Sequence, residues 1–366
     1  MTAALIPSEQ FADLFINDRP MMDVRAPVEF VQGAFPSSCN LPLLDDDQRH
    51  IIGIEYAEKG QDAAIALGES LATPVIREHR LQQWRSFIEA HPDTVLYCFR
   101  GGLRSRITQQ WLADAGIDIP LVEGGYKALR RFLIDRLDAF CDSQPLCLIA
   151  GPTGSGKTEL LLRCAHNADL EGLAGHRGST FGQWAEQQPS QIDFENAISV
   201  ACLKHGQSAP GRPLILEDEG RLIGRLSLPE SLREAMAQAP LLILECPLHE
   251  REDRILRDYI IAQRQRFQSL NATTAAESFA EFVLGNLHRI RKRLGGERYQ
   301  RISEQWDEAL RLLEAGEGVE AFRSGVSELL VHYYDPMYEY QLSKREGKVL
   351  MRGDADTLLH SDWLSR

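Results

Sequence analysis

The chain has 366 residues, 43% hydrophobic and 25% charged, and carries a net charge of −13. That length exceeds one ordinary core, so two domains are expected, and the balance of apolar and charged residues excludes a fibrous or disordered chain. The acidic total excludes a uniformly basic nucleic-acid binder, and seven cysteines, odd in number and without C-x-x-C spacing, exclude a disulfide framework or a cysteine zinc site and fit a reducing cytoplasm.

In chain order, MTAALIPSEQFADLF has no basic stretch ahead of an apolar run, so no export signal is visible. Residues 5–17 read as a short helix with Phe11, Leu14 and Phe15 on one face. Met21–Arg25 reads as a strand and Asn40–Leu44 as a second extended piece. Asp45–His50 is polar, and Ile65–Leu71 and Arg80–Glu89 have a helical period. Val95-Leu96-Tyr97 is a strand running into Cys98. Phe99, Arg100, Gly101, Gly102, Leu103, Arg104 and Ser105 then form a glycine loop ahead of a helix from Ile107. Amides of such a loop and the positive helix end converge on a tetrahedral anion. With Arg100 and Arg104 they also favour the thiolate, the form that attacks. The rival is a buried cysteine packing as a small hydrophobe, which needs neither Gly101-Gly102 nor the arginines. Leu121–Tyr126 reads as a strand and turn, and Leu129–Phe140 as an amphipathic helix. The alternation implies a parallel sheet covered on both faces, with ligands at the strands' carboxyl ends.

Cys141–Pro145 is a polar boundary that divides residues 1–140 from 141–366. The buried strand Leu146–Ala150 leads into G-x-x-x-x-G-K-T and a helix. Gly151, Thr153, Gly154, Ser155, Gly156, Lys157 and Thr158 are thus the phosphate-binding residues. Lys157 neutralises phosphate and Thr158 can ligate Mg²⁺. The strand Pro213–Leu216 ends in Glu217-Asp218-Glu219, where Asp218 and Glu219 are candidates to orient Mg²⁺ or a water; a plain acidic strand end is the rival. After the strand Leu241–Leu244 the rest is mostly helical, and no apolar run is long enough for a bilayer. Arg289, Arg291, Lys292, Arg293, Arg298 and Arg301, with the earlier Arg251–Arg266 segment, suit either a phosphate track or a solvated helix face. Tyr333 and Tyr334, in HYYDPMY, could stack on bases or cap the domain core.

Asp23-Val24-Arg25-Ala26-Pro27-Val28-Glu29-Phe30, then Gly33-Ala34, Asn40-Leu41-Pro42, the cysteine loop and Val122–Gly125, resemble the rhodanese family over about residues 8–138. The resemblance implies a structural Asp23 and Arg25 and a cysteine that carries a chalcogen. Five residues separate Cys98 from Arg104, one more than in the usual sulfur-carrying loop. This resembles the rhodanese-like cell-cycle phosphatases, and the wider loop suits a whole tetrahedral anion.

With the P-loop half, and with His176–Gly182, Gln188-Pro189, Phe194-Glu195-Asn196, Glu217–Gly224 and Tyr333–Pro336, the chain resembles the bacterial tRNA 2-selenouridine synthase family along nearly its full length. That implies an α/β protein: an N-terminal rhodanese-like parallel-sheet domain, then a P-loop NTPase-like domain with a helical C-terminal part. It implies a cytoplasmic enzyme, without membrane contact, that converts wobble 2-thiouridine of tRNA to 2-selenouridine. The implied chemistry is S-geranylation with geranyl diphosphate, then selenium transfer from selenophosphate through Cys98. No tightly bound cofactor is expected, and the partners are tRNA and a selenophosphate supply. The rivals are a rhodanese-type sulfurtransferase or phosphatase with a regulatory P-loop domain, and a P-loop kinase with an inert rhodanese-like module.

Overall fold

The computed structural model describes residues 4–364. The chain forms two compact units, Met1–Phe140 with Ser190–Gln207, and Cys141–Pro189 with Ser208–Arg366.

In the first unit β1 (Leu5–Ile6), β2 (Met21–Asp23), β3 (Ser38–Asn40), β4 (Val95–Tyr97) and β5 (Leu121–Val122) form one parallel sheet, in the order β1-β5-β4-β2-β3. Successive side chains alternate faces. Met21, Val95 and Tyr97 pack with Phe11, Phe15, Phe35 and Leu129; Met22, Leu96 and Cys98 pack with Trp84 and Leu112. Leu5 and Ile6, expected in a helix, instead pair with Leu121 and Val122, and the α-helix covers only Phe11–Ile16. Pro7 follows the pair and lacks the N–H a continuing helix needs, so edge pairing prevails over helical periodicity. The polar stretch at residue 45 opens a helix, Asp46–Lys59, because Asp45 caps it and Gln48 closes a capping box.

At the end of β2, Asp23 and Arg25 form a buried ion pair at 2.6 Å. Arg25 also donates to Gly33 O at 2.8 Å, and its guanidinium lies 3.9 Å from the Tyr126 ring centre. Asn40 Nδ2 donates to the carbonyls of Asp23 and Arg25. A boundary at residue 140 does not account for the helix Gln191–Ser208, nearly all of which folds with the first unit. Phe194 and Ile198 are buried, Asn196 donates to Ala34 O at 2.6 Å, and Asp193 accepts from Ala34 N at 2.7 Å.

In the second unit β6 (Leu146–Ala150), β7 (Leu214–Glu217), β10 (Leu241–Leu244) and β11 (Val349–Gly353) form a parallel sheet in the order β11-β10-β6-β7; β8 (Leu222–Ile223) and β9 (Leu226–Ser227) make a separate hairpin. A helical core around Phe279, Leu287, Trp306, Phe322 and Val326 completes the unit. Among the described residues no helix is long and apolar enough to cross a membrane.

Candidate functional site

Cys98 follows β4 directly and is 3% exposed. Part of its surroundings is the apolar layer of Met22, Val24 and Leu112; the polar part is Ser105, whose Oγ lies 3.1 Å from Sγ and 3.0 Å from Gly102 O. The helix expected from Ile107 begins at Leu103, so Arg104 and Ser105 belong to its first turn. The loop Cys98–Gly102 is held from the other side by the helix Gly125–Ser143, where Tyr126 N donates to Cys98 O at 2.8 Å and Lys127 N to Phe99 O at 3.0 Å. A Cβ on Gly125 would stand 2.3 Å from Cys98 O and 2.5 Å from Gly101 N, so only glycine allows this approach. Arg104 forks onto Glu29 at 2.5 and 3.1 Å. Burial opposes the Arg104 charge, but Glu29, with a smaller contribution from Cys98, outweighs it and holds the guanidinium firmly charged. Arg100 is exposed, 5.9 Å from the Phe99 ring centre. By contrast Cys147 and Cys164 are packing thiols, pushed up to about 12 and about 11 chiefly by burial.

The P-loop follows β6. A Cβ on Gly151 would meet Ser155 Oγ at 2.7 Å and Leu244 O at 2.9 Å, while Gly154 and Gly156 take φ of +80° and +91°. Lys157 Nζ donates to Gly151 O at 3.1 Å. Arginines of the helix Leu248–Ile255 brace the loop: Arg251 donates to Thr153 O at 2.9 Å and Arg254 to Gly154 O at 2.7 Å. Facing them are Glu171, Glu217 and Glu219, with one carboxylate oxygen from each within 4.8 Å of the others. Burial first, and their mutual repulsion for Glu171 and Glu219, pushes these carboxyls up, Glu219 to about 7. Glu217 Oε1 is buried with no hydrogen-bond partner, and Thr158 Oγ1 lies 3.5 Å from Glu171 Oε2. A set of hard oxygen donors with an unsatisfied buried carboxylate fits a divalent cation such as Mg²⁺. These groups line a cleft of about 430 Å³. A narrow apolar cavity of about 30 Å³, lined by Phe181, Ile260, Phe282, Val283, Trp306 and Leu329, shares Thr153, Ser179, Ile255, Tyr259 and Tyr334 with it.

The comparisons with known proteins agree with this architecture. The family model described as the tRNA 2-selenouridine synthase AAA domain matches residues 144–366. A tRNA 2-selenouridine synthase of Marinobacter nauticus is 49% identical over 97% of this chain and 96% of its own. Those of Hahella chejuensis (49%; 95% and 92%) and Shewanella loihica (45%; 99% and 97%) are similar over comparable spans. The chain belongs to the tRNA 2-selenouridine synthase family.

In this synthase-family chain the structure sorts the sequence-predicted residues. It brings Lys157, Thr158 and Glu219 to one cleft, together with Glu217 and Glu171. Asp218 lines the same cleft, but its carboxylate is engaged by Arg345. Arg251 and Arg254, offered as a phosphate track, serve the P-loop carbonyls instead. Arg291, Lys292 and Arg293 are exposed on the last turn of the helix Ala275–Leu294. Arg289 donates to Asn286 at 2.7 Å, and Glu328 holds Arg298 at 3.8 Å and Arg301 at 2.7 Å. Tyr333 and Tyr334 are not open base-stacking platforms: both are buried in the helical core, their ring centres 4.9 Å apart. Sequence reasoning missed Glu171, which sits on the short helix Leu170–Ala174 with no motif to mark it. It also gave no role to Arg177, which lines the cleft and pairs with Asp258 at 2.6 Å.

Proposed function

We propose that this enzyme converts 2-thiouridine of tRNA to 2-selenouridine through two chemistries, one in each unit. The names of its relatives support the overall conversion. The observation that carries the division of labour is the phosphate cradle whose wall is also the wall of an apolar cavity. A ligand with a diphosphate at one end and a hydrocarbon chain at the other matches that pairing. Geranyl diphosphate is such a ligand. At about 30 Å³ the cavity marks only the apolar end of the site, and a prenyl chain would have to widen it. Lys157 holds the diphosphate, with Arg177 adding charge from the cleft wall. Thr158 with Glu171, Glu217 and Glu219 would hold Mg²⁺, which supplies charge neutralisation on a departing diphosphate. Alkylation turns the ring sulfur into a better leaving group, as a neutral thiol after protonation.

Selenium transfer belongs to the Cys98 loop, where selenophosphate is the tetrahedral anion and Arg104 the charge beside it. Thiolate attack on selenium would leave the bonding pair on phosphorus and release phosphite, and freeing Cys98 afterwards would take two further electrons. Release of phosphate means that selenium keeps the pair and reaches the ring carbon as a selenide. The phosphorus product therefore identifies the atom that is attacked. Arg291, Lys292 and Arg293 are the proposed tRNA contacts, and the setting is the cytoplasm, where a selenophosphate-producing enzyme supplies the donor.

The test is a pair of variants assayed by tRNA nucleoside analysis. Cys98→Ser should lose 2-selenouridine yet accumulate the geranylated nucleoside, whereas Lys157→Ala should lose geranylation first. Selenation surviving in Cys98→Ser, or tight ATP binding with none of geranyl diphosphate, would overturn the corresponding half.

A further inference from the structure

Two irregular turns bring two phenols to the wall between cleft and cavity. Leu256–Ile261 and Leu330–Tyr334 are π-helical. Such turns are rare and occur frequently at functional sites. Tyr259 and Tyr334 are the tyrosines from these turns that line both spaces. The Tyr259 hydroxyl accepts from Ser179 Oγ at 3.2 Å. That of Tyr334 differs: the residue is 6% exposed and its hydroxyl, although Ser179 and Thr180 lie near, makes no hydrogen bond of normal geometry. A buried O–H left unmade is costly and calls for an explanation, and a catalytic role is one of the few available. A ligand with its phosphates in the cleft and its hydrocarbon chain toward the cavity would place the bond joining them at the wall itself.

Resting on the prenyl diphosphate reading of the cleft, we propose that the Tyr334 hydroxyl donates a hydrogen bond to the bridging oxygen of that diphosphate, the atom that leaves carbon 1. In the step, a sulfur lone pair forms the S–C bond and the C–O bond breaks with its electron pair on the diphosphate. The N3 proton of the uracil passes to water, leaving a neutral S-alkylated ring. Tyr334 keeps its proton throughout; its hydrogen bond strengthens as charge gathers on the departing oxygen, so it acts on the rate more than on binding.

Tyr334→Phe in the full-length protein keeps the ring and removes the oxygen. Single-turnover geranylation of 2-thiouridine tRNA should slow about 10–100-fold, with geranyl diphosphate binding within about threefold of wild type. The melting midpoint should hold or rise, and selenation of tRNA geranylated beforehand should be unchanged. An undiminished single-turnover rate overturns the proposal, as does a loss of binding equal to the loss of rate. If the wild-type protein neither binds nor turns over geranyl diphosphate, the reading beneath it fails instead, and that result comes from a different sample.

Discussion

At the scale of single residues, three glutamates share a space too small for three charges. The Glu219 carboxyl titrates near 7 in the fold against 4.5 when unperturbed, so the folded protein holds a proton there that the unfolded chain releases. Stability from this group is fully present below about 4.5 and lost as pH rises through about 7. A divalent cation bound among the three carboxylates would replace that proton. Mg²⁺ should therefore raise the melting temperature more at pH 8 than at pH 5.5; scanning calorimetry at both pH values checks this, and an equal or reversed effect removes the cluster as a cation site. Gly125 offers a second case. Alanine there would collide with the carbonyl of Cys98 at a φ of +59°. Gly125→Ala should cost on the order of 1–3 kcal/mol and abolish selenation, while geranylation by the same sample continues.

At the scale of elements, the helix Gln191–Ser208 is the informative piece. It supplies buried Phe194 and Ile198 and the Asn196 and Asp193 bonds to the chain at Ala34, a residue in the loop that Arg25 also grips at Gly33. A fragment ending at Ser143 should unfold at lower urea than the same fragment with residues 190–208 restored; equal midpoints would show the helix to be dispensable. Asp23→Ala, which leaves the Arg25 charge buried and unpaired, should cost about 3–5 kcal/mol by the same measurement. The elements also show what sequence can carry. The P-loop and the cysteine loop were legible because their signals are local: a strand, a fixed spacing of glycines, and a helix. Glu171 was not, since a helix of five residues has no period to read and its partners lie 46 and 48 positions later. Tyr333 and Tyr334 were ambiguous because aromatic rings look alike whether they stack or pack, and only burial separates the two. The edge strand β11, exposed along much of its length and carrying Arg352, lacked the alternation that identifies a strand.

At the scale of the whole molecule, a chain of net charge −13 must hold a polyanion by a small basic area. Arg291, Lys292 and Arg293 are exposed together, whereas Arg298 and Arg301 have a carboxylate neighbour in Glu328. Reversing the three to glutamate should weaken tRNA binding and flatten the log–log dependence of affinity on salt by about 2–3 units. A filter-binding series from low to high salt measures this, and an unaltered slope would move the tRNA surface elsewhere. The interleaving of the two units has its own result, one concerned with time. During synthesis Phe140 leaves the ribosome well before Gln207, on the order of ten seconds earlier at ordinary elongation speeds. Over that interval the nascent first unit lacks its last helix, and the sheet face of Met21, Val95 and Tyr97 waits for Val200 to cover it. The order of translation thus builds an open interval into every copy, one that a holding chaperone would cover and a slow codon before position 190 would lengthen.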